Sequence, residues 1–407
     1  MRARIRLTLG LALGLSTPGL RAQSTAAVDL DTVLSRAVAA SPAVRVAEAN
    51  AARVAALGVG ADQPSRENPT LSVWSGPRRL ADGSTLADLT FSLSWPIDLS
   101  ATRPARLAAV DAQVVESLAA RDLARLSARH EALAQWVRLA AAEARARLET
   151  ERFELATRAQ ATAEHRASIG VTGAEEPTLA RLLVSQAQGR IAAAGTEVEA
   201  ARVGLRFALG LPWASALSAP EGLTLPAPAP LATLLGSLAQ RPDLVRARAG
   251  VTSAQRDVSL QRALGRPVPR LGFGAGRENE YYARLGFDMP LPVYQRNQTG
   301  VAVAQAQVRE REAEAEALQR RAEAALREAM ARYEGALEAA RRAQASMALA
   351  RDVEQLSTRA FELGQRDLVS LLSVLRETFA VYEAALGASV AVAEARVALG
   401  VAAGEWP

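Results

Sequence analysis

The sequence contains no cysteine, only two histidines and few aromatic residues, and these absences exclude several kinds of site. Without cysteine there is no disulfide, thiolate metal site or cysteine nucleophile, and no lipid-modified N-terminal cysteine. His130 and His165 are 35 positions apart, more than about 50 Å along one helix, so they cannot share a metal ion. No catalytic set or phosphate-binding glycine loop stands out. We therefore predict no metal, no cofactor and no enzyme.

The sequence also lacks an unbroken apolar run of 18 residues, so we predict no transmembrane helix; only a closed β-barrel would then cross a membrane. Residues 1–22 have the features of a secretory signal peptide: early arginines, a short apolar core and Ala22 at the expected cleavage site. The alternative is a retained N-terminal anchor. Removing the four arginines of this segment would lower the net charge from +5 to about +1, which argues against a nucleic-acid partner.

A duplicated unit is indicated by landmarks that recur in the same order at an offset of about 200 residues. The matching segments are 40–47 with 240–247, 68–73 with 268–273, 91–96 with 285–290, 168–170 with 362–364, and 206–210 with 396–400. A proline-rich connector, residues 211–230, separates the copies and cannot be a regular helix. We predict a first structural repeat at 23–210 and a second at 231–407.

Each repeat reads as a helix, a strand hairpin, a very long helix, a tight turn and a shorter helix. In the first repeat the predicted helices are 31–60, 102–169 and 178–209, and the predicted strands are 69–75 and 86–95; Asp29 or Asp31 would be the N-cap of the first helix. In the second repeat the predicted helices are 231–264, 298–363 and 368–399, and the predicted strands are 268–276 and 281–289. Each long helix would span about 100 Å. Since the two shorter helices together match one long helix, each repeat predicts two antiparallel columns. The fold class is mainly α with a small β part.

The predicted strands alternate apolar residues with small or polar ones. In 281–289 one face carries Tyr281, Leu285 and Phe287, and the other carries Arg284 and Asp288. This pattern fits a transmembrane barrel, and a half-buried soluble sheet is the alternative. Four strands cannot close a barrel, for which about eight is the minimum. A barrel would need several chains, and three chains would supply twelve strands and twelve helical columns.

The ordered set of motifs resembles the TolC-like outer membrane efflux proteins over essentially the whole mature chain. The resemblance is carried by Arg-Pro-Asp-Leu at 241–244, Pro-Xaa-Leu strand starts at 69 and 269, prolines at 96 and 290, Leu-Gly-Gln-Arg-Asp-Leu at 363–368, and Ala-Leu-Gly-Leu-Pro at 208–212. The compact length is most similar to the CzcC-like heavy-metal branch.

The resemblance implies a homotrimer in the outer membrane, with a 12-stranded barrel in the lipid and a long α-helical barrel extending into the periplasm of a Gram-negative bacterium. The tip turns would form a closable gate that docks a periplasmic adaptor (membrane fusion protein) of an inner-membrane pump. The chain would be a passive exit duct driven by that pump.

Two groups of residues are candidates for function. The tip group would form the gate and the adaptor contact, and consists of Gly170, Gly173, Glu175, Glu176, Gly364, Gln365, Arg366 and Asp367. Its glycines can adopt positive φ and end a helix. The alternative is ordinary polar turn residues and caps, with Asp367 capping the next helix. Arg284 and Asp288 would line the barrel lumen, or alternatively pair locally across strands.

A different architecture is the main functional alternative. A periplasmic coiled-coil adaptor or scaffold protein without a pore would share the helical composition. An adaptor, however, would need a strand-rich module, and strands are few in this sequence. The cargo and the identity of the pump are not encoded in any motif.

Overall fold

The computed structural model describes residues 26–27, 29–98, 102–219, 225–277 and 280–404. The predicted signal peptide lies outside the described residues. The helices are α1 Leu30–Ala40, α2 Pro42–Ala61, α3 Thr102–Ser168, α4 Glu175–Leu209, α5 Leu231–Ser237, α6 Pro242–Leu264, α7 Gln298–Glu362 and α8 Leu368–Ala403. The strands are β1 Ala26–Ala27, β2 Thr70–Arg79, β3 Thr85–Pro96, β4 Leu217–Ser218, β5 Arg270–Arg277 and β6 Tyr281–Asp288. The mainly helical fold with a small strand part is confirmed.

Two very long helices organise the molecule. α3 has 67 residues and α7 has 65, so each is about 100 Å long. The first half of α3 packs against α2 and α6, and its second half packs against α4 and α8. α7 packs against α6 and then against α8. The helices therefore lie side by side in the order α2–α3–α6–α7 near the sheet and α4–α3–α8–α7 towards the opposite end, which we call the tip.

The first helix of each predicted repeat is interrupted by a proline, so the expectation of single helices at 31–60 and 231–264 was wrong. The chain breaks before Pro42, where Ser41 is extended, and before Pro242, where Arg241 is non-helical with ψ 128°. Proline lacks an N–H and disfavours the helical conformation of the preceding residue, so each helix stops and a new one starts. Asp29 is the N-cap of α1, since its carboxylate accepts the Thr32 N–H at 3.3 Å.

The two hairpins join into one antiparallel sheet with the strand order β2–β3–β5–β6. In the register, Phe91 of β3 lies opposite Val73 of β2 and Ala275 of β5, and Phe273 lies opposite Leu285 of β6. Residues of odd number therefore share one face of the sheet, and residues of even number share the other. Strands β2 and β6 form the two open edges.

The proline-rich connector after α4 is fastened to the helices by charged side chains. β4 within it pairs in parallel with β1. Glu143 of α3 accepts the Ala219 N–H at 3.0 Å and forms an ion pair with Arg202 at 3.2 Å. The buried Arg396 of α8 donates to the Pro226 carbonyl at 2.7 Å. Where the structure describes it, the connector contains no regular helix, as the prolines predicted.

The core consists of several small clusters along the columns, built largely from alanine and leucine. The largest surrounds Leu133 and Trp136 of α3, with Val33 of α1 and Leu205 of α4. Another lies at the tip and contains Ala163, Phe361, Leu368 and Leu371. Small alanine side chains allow the helices to approach closely over their full length.

One described helix, α8, is long and apolar enough to cross a membrane by length and composition alone. A third of its most apolar window is buried inside the chain, and the core helix of a soluble protein meets the same criterion. The expectation that no helix would qualify rested on unbroken apolar runs, which Glu394 and Arg396 interrupt in this helix. In the structure α8 packs along α7 and α3.

Candidate functional site

The two tip turns are built in the same way. Gly170 ends the turn after α3 with φ +75°, and Gly364 ends the turn after α7 with φ +74°. The N–H of the residue after each glycine returns to the preceding helix, from Val171 to Arg166 at 3.0 Å and from Gln365 to Ala360 at 2.9 Å. The prediction of positive φ is thus confirmed for Gly170 and Gly364. It is wrong for Gly173, which lies one turn later and has no left-handed conformation.

A largely buried ion pair joins the two tip turns. Arg166 of α3 and Glu176 of α4 approach to 3.5 Å, and each side chain is only 12% exposed. Glu176 also accepts the backbone N–H of Leu368, the first residue of α8, at 3.2 Å. Arg166 donates to the Arg366 carbonyl at 3.1 Å and lies over the Phe361 ring at 5.1 Å. Two side chains therefore connect the α3–α4 turn to the α7–α8 turn.

The remaining predicted tip residues differ in their surroundings. The guanidinium of Arg366 donates to the Ser357 hydroxyl at 3.0 Å, so Arg366 is turned back onto α7. Glu175 and Gln365 are exposed. Asp367 is exposed too and precedes α8 with an extended backbone. Hydrogen bonding from Ser370 holds the pKa of Asp367 below its usual range.

A groove beside the tip was not predicted from the sequence. It has a volume of about 420 Å³ and lies between the α3–α4 pair and α8. Its apolar walls include Leu155, Ala159, Leu183, Leu372 and Phe379. Arg152, at one border, lies over the Phe379 ring at 4.4 Å and forms an ion pair with Glu383 at 3.0 Å. No local sequence pattern could have predicted this groove, because its residues come from three helices that are distant in the sequence.

Most side chains on the even-numbered face of the sheet are small or polar, with the exposed Trp74 of β2 as a large aromatic exception. This face carries serines and threonines from β2 and β3 and three consecutive glycine positions on β5, opposite Tyr282, Arg284 and Gly286 of β6. The Arg284 guanidinium lies over the Tyr282 ring at 4.3 Å. Tyr282 in turn reaches across Gly276, and its hydroxyl is 3.1 Å from that of Thr90. Gly276 is required there, because a Cβ would lie 2.6 Å from the Leu89 backbone carbonyl oxygen and 2.8 Å from the Tyr282 hydroxyl oxygen.

Arg284 and Asp288 share this face, as predicted, but they do not pair with each other. Asp288 lies opposite Arg270 in the register, and Arg270 forms an ion pair with Glu67 at 2.5 Å. Among the residues that the structure describes, no acid forms an ion pair with Arg284. The arginine is therefore a cation supported by an aromatic ring at the middle of an edge strand.

The odd-numbered face is apolar and exposed. Its side chains include Leu71 at 67% exposure, Leu285 at 82% and Phe287 at 65%, with Phe91 and Phe273 between them. A continuous apolar surface of this size is expected to be covered by lipid or by another protein.

No three His, Cys, Asp or Glu residues within the described ranges are grouped so that they could hold a metal ion.

Comparisons with known proteins agree with this architecture. Residues 236–405 match the family model described as outer membrane efflux protein. The chain is 29% identical over 216 residues to the cobalt-zinc-cadmium resistance protein CzcC of Cupriavidus metallidurans, an alignment covering 51% of each protein. The chain thus spans about half the length of this curated relative.

Solved structures extend the likeness to the whole fold. The outer-membrane channel OprN superposes with a TM-score of 0.77 at 19% identity, covering 93% of this chain and 90% of that one. The CmeC outer membrane channel of Campylobacter jejuni gives a TM-score of 0.76 at 16% identity, covering 99% and 94%. Together the matches confirm the resemblance drawn from the sequence motifs.

Proposed function

We propose that three copies of this chain form a passive outer-membrane channel of a tripartite efflux system. The proposal is supported by the match of residues 236–405 to the outer membrane efflux protein model and by a fold similar to that of TolC-like channels. The observation that carries the proposal is the two-faced sheet at one end of columns about 100 Å long. Its exposed apolar face suits lipid, and its small, polar face suits a water-filled lumen.

The open edges of the chain support closure into a ring. The sheet ends in β2 on one side and β6 on the other, and unpaired strand edges call for a partner. The helical layer ends in α2 and α4 on the first side and in α7 on the second. α7 presents the exposed residues Leu349, Val353 and Leu356, and α4 presents Phe207. A head-to-tail contact repeated around a threefold axis would cover both edges.

The proposed channel follows the two predicted structural repeats, 23–210 and 231–407, each supplying one hairpin and one long helix. The proline-rich connector 211–230 joins them beside the middle of the columns. The predicted signal peptide would direct export, and the sheet would lie in the outer membrane with the columns in the periplasm. Three chains with four strands each would supply twelve strands.

The tip is the proposed gate and the docking site for a periplasmic adaptor. In each chain the Arg166–Glu176 pair holds the two turns together. The exposed Glu175, Gln365 and Asp367 would face neighbouring chains or the adaptor. The apolar groove between α3, α4 and α8 has walls suited to an amphipathic helical segment of that adaptor.

The proposed cargo is a divalent metal ion, by similarity to a relative named for cobalt, zinc and cadmium resistance. In a passive duct the ion passes without a binding site, and an inner-membrane pump supplies the energy. Arg284 and Asp288 would line the lumen and set ion selectivity.

The deciding experiment is single-channel conductance of detergent-extracted protein in a planar bilayer, with the oligomer mass measured by light scattering. We expect a trimer with a small, stable conductance. A water-soluble monomer without conductance would contradict the proposal and favour a periplasmic coiled-coil adaptor or scaffold. Metal cargo is tested separately, by comparing zinc, cobalt and cadmium tolerance of cells with and without the gene for this chain.

A further inference from the structure

Charge is distributed very unevenly over the apolar, odd-numbered face of the sheet. Along all four strands, this face carries two charged residues, Arg79 and Arg277, and no acid. The strand acids Asp88 and Asp288 belong to the opposite face, where Asp88 forms an ion pair with Arg78 at 3.1 Å. An arginine at the border of a broad apolar surface can bind an anionic group whose own apolar part covers that surface.

Both arginines stand at the same end of the sheet. Arg79 is the last residue of β2, and Arg277 is the last residue of β5. These ends lead into the hairpin turns, away from the helical columns and from the tip. Both side chains are exposed, and neither forms an ion pair with an acid in the part of the chain that the structure describes. Arg277 lies over the ring of Tyr281 on the same face, at 5.6 Å.

The acids nearest in sequence are Asp82 after β2 and Glu278 and Glu280 after β5, of which Glu278 lies outside the described residues. Asp82 accepts hydrogen bonds from Ser84, from the N–H at 2.9 Å and from the hydroxyl at 2.7 Å. Glu280 is exposed and precedes β6. Within the four strands, the only charged residues on the apolar face are therefore arginines, whose planar guanidinium groups bind phosphate oxygens in pairs.

We propose that Arg79 and Arg277 bind the phosphate groups of lipid in the outer leaflet, while the acyl chains of the same lipid cover the apolar face below them. This inference rests on the proposed function, because it places the hairpin ends at the outer surface of the membrane. In a trimer, six arginines would form a rim around the channel. The expected ligand is a phosphorylated glycolipid, because the site offers a phosphate contact and an apolar surface together.

The test uses the full-length protein in detergent and lipid A as the probe, in its bisphosphorylated form and after removal of both phosphates. Binding is measured by native mass spectrometry. We expect the unmodified protein to bind the phosphorylated lipid about tenfold more tightly than the dephosphorylated one. The double variant Arg79→Gln, Arg277→Gln should lose that preference. Arg78→Gln, the adjacent cation on the opposite face, should keep it.

The proposal is overturned if the double variant keeps the phosphate preference, or if Arg78→Gln loses it equally. It is also overturned if inorganic phosphate at millimolar concentration displaces the lipid, since the site would then bind free phosphate. Conductance and trimer mass are recorded for every variant. If the unmodified protein conducts but binds phosphorylated and dephosphorylated lipid A equally, only the lipid-binding inference is refuted. If the unmodified protein shows no conductance, the proposed channel function is refuted.

Discussion

The side-chain amide of Asn297 donates two hydrogen bonds to Gln261, one to its backbone carbonyl at 2.9 Å and one to its side-chain oxygen at 2.8 Å. Asn297 is the residue before α7, and Gln261 lies in the last turn of α6. Asn297 has φ +59°, and no other non-glycine residue in the described ranges has positive φ. This contact holds the start of α7 against the end of α6, where the chain passes from the sheet into the long helix.

Replacing Asn297 by alanine should weaken this junction. Alanine disfavours the left-handed conformation by about 1–2 kcal/mol, and two hydrogen bonds of about 1 kcal/mol each are lost. Asn297→Gly loses the same hydrogen bonds but accepts the conformation, so it should be less harmful. Thermal unfolding of the extracted protein measures both. Equal melting temperatures for the two variants would contradict the role of the backbone conformation.

Replacing Glu176 by glutamine should loosen the tip. The change removes the charge that faces Arg166, and leaves that largely buried cation without its partner, at a cost of about 2 kcal/mol. We expect longer or more frequent open events in single-channel recordings. Glu362→Gln is the matched control, because Glu362 is an exposed acid in the last turn of α7 and lies outside the tip group. An identical effect of both variants would show that the ion pair does not hold the gate.

The start of α8 should become less stable in acid. Hydrogen bonding from Ser370 lowers the pKa of Asp367 in the folded chain, and the charge of Arg166 acts in the same direction. The folded chain thus favours the deprotonated carboxylate. The stability that the Asp367 carboxylate gives to the start of α8 is fully present above the ordinary pKa of about 3.9. It is lost as the pH falls through the lowered pKa of the folded chain. Hydrogen exchange of the α8 N-terminus between pH 6 and 3 measures this effect, and Ser370→Ala should reduce it. An unchanged pH profile in that variant would contradict the assignment.

Replacing Arg284 by glutamate should shift the channel towards cation selectivity. Arg284 lies on the polar face of β6 without an acidic partner in the described ranges, so its charge acts directly on the solution beside it. The reversal potential in a salt gradient reports the shift. Tyr281→Glu places the same charge on the apolar face, where it should not alter selectivity in protein that still assembles. A change of equal size there would mean that the two faces are assigned the wrong way round.

Most of the helical architecture was predictable because it depends on local signals. The long helices end within about a residue of their predicted limits, since Gly170 and Gly364 supply the left-handed residues that stop them. The alternation in β6 correctly placed Arg284 and Asp288 on one face. The first helices were predicted as single elements because alanine-rich periodicity outweighed the signals of Pro42 and Pro242.

The contacts across the tip were not predictable in the same way. Glu176 accepts the N–H of Leu368, which is 192 residues away in the chain, so no local pattern records the pairing. The register between β3 and β5 likewise joins two distant hairpins. Gly173 shows the limit of reasoning from residue type, because a glycine that can adopt positive φ need not do so when a neighbour already ends the helix.

The near-equal lengths of α3 and α7, 67 and 65 residues, constrain how this protein can evolve. Deleting one residue from an α-helix rotates everything beyond it by about 100° and shortens it by about 1.5 Å. In α7 such a deletion would turn Phe361 out of the tip cluster while α3 kept its own phase. We therefore expect insertions and deletions to be compatible with the fold only when both long helices change length together by whole helical turns, which keeps the distance from the sheet to the tip equal along the two columns.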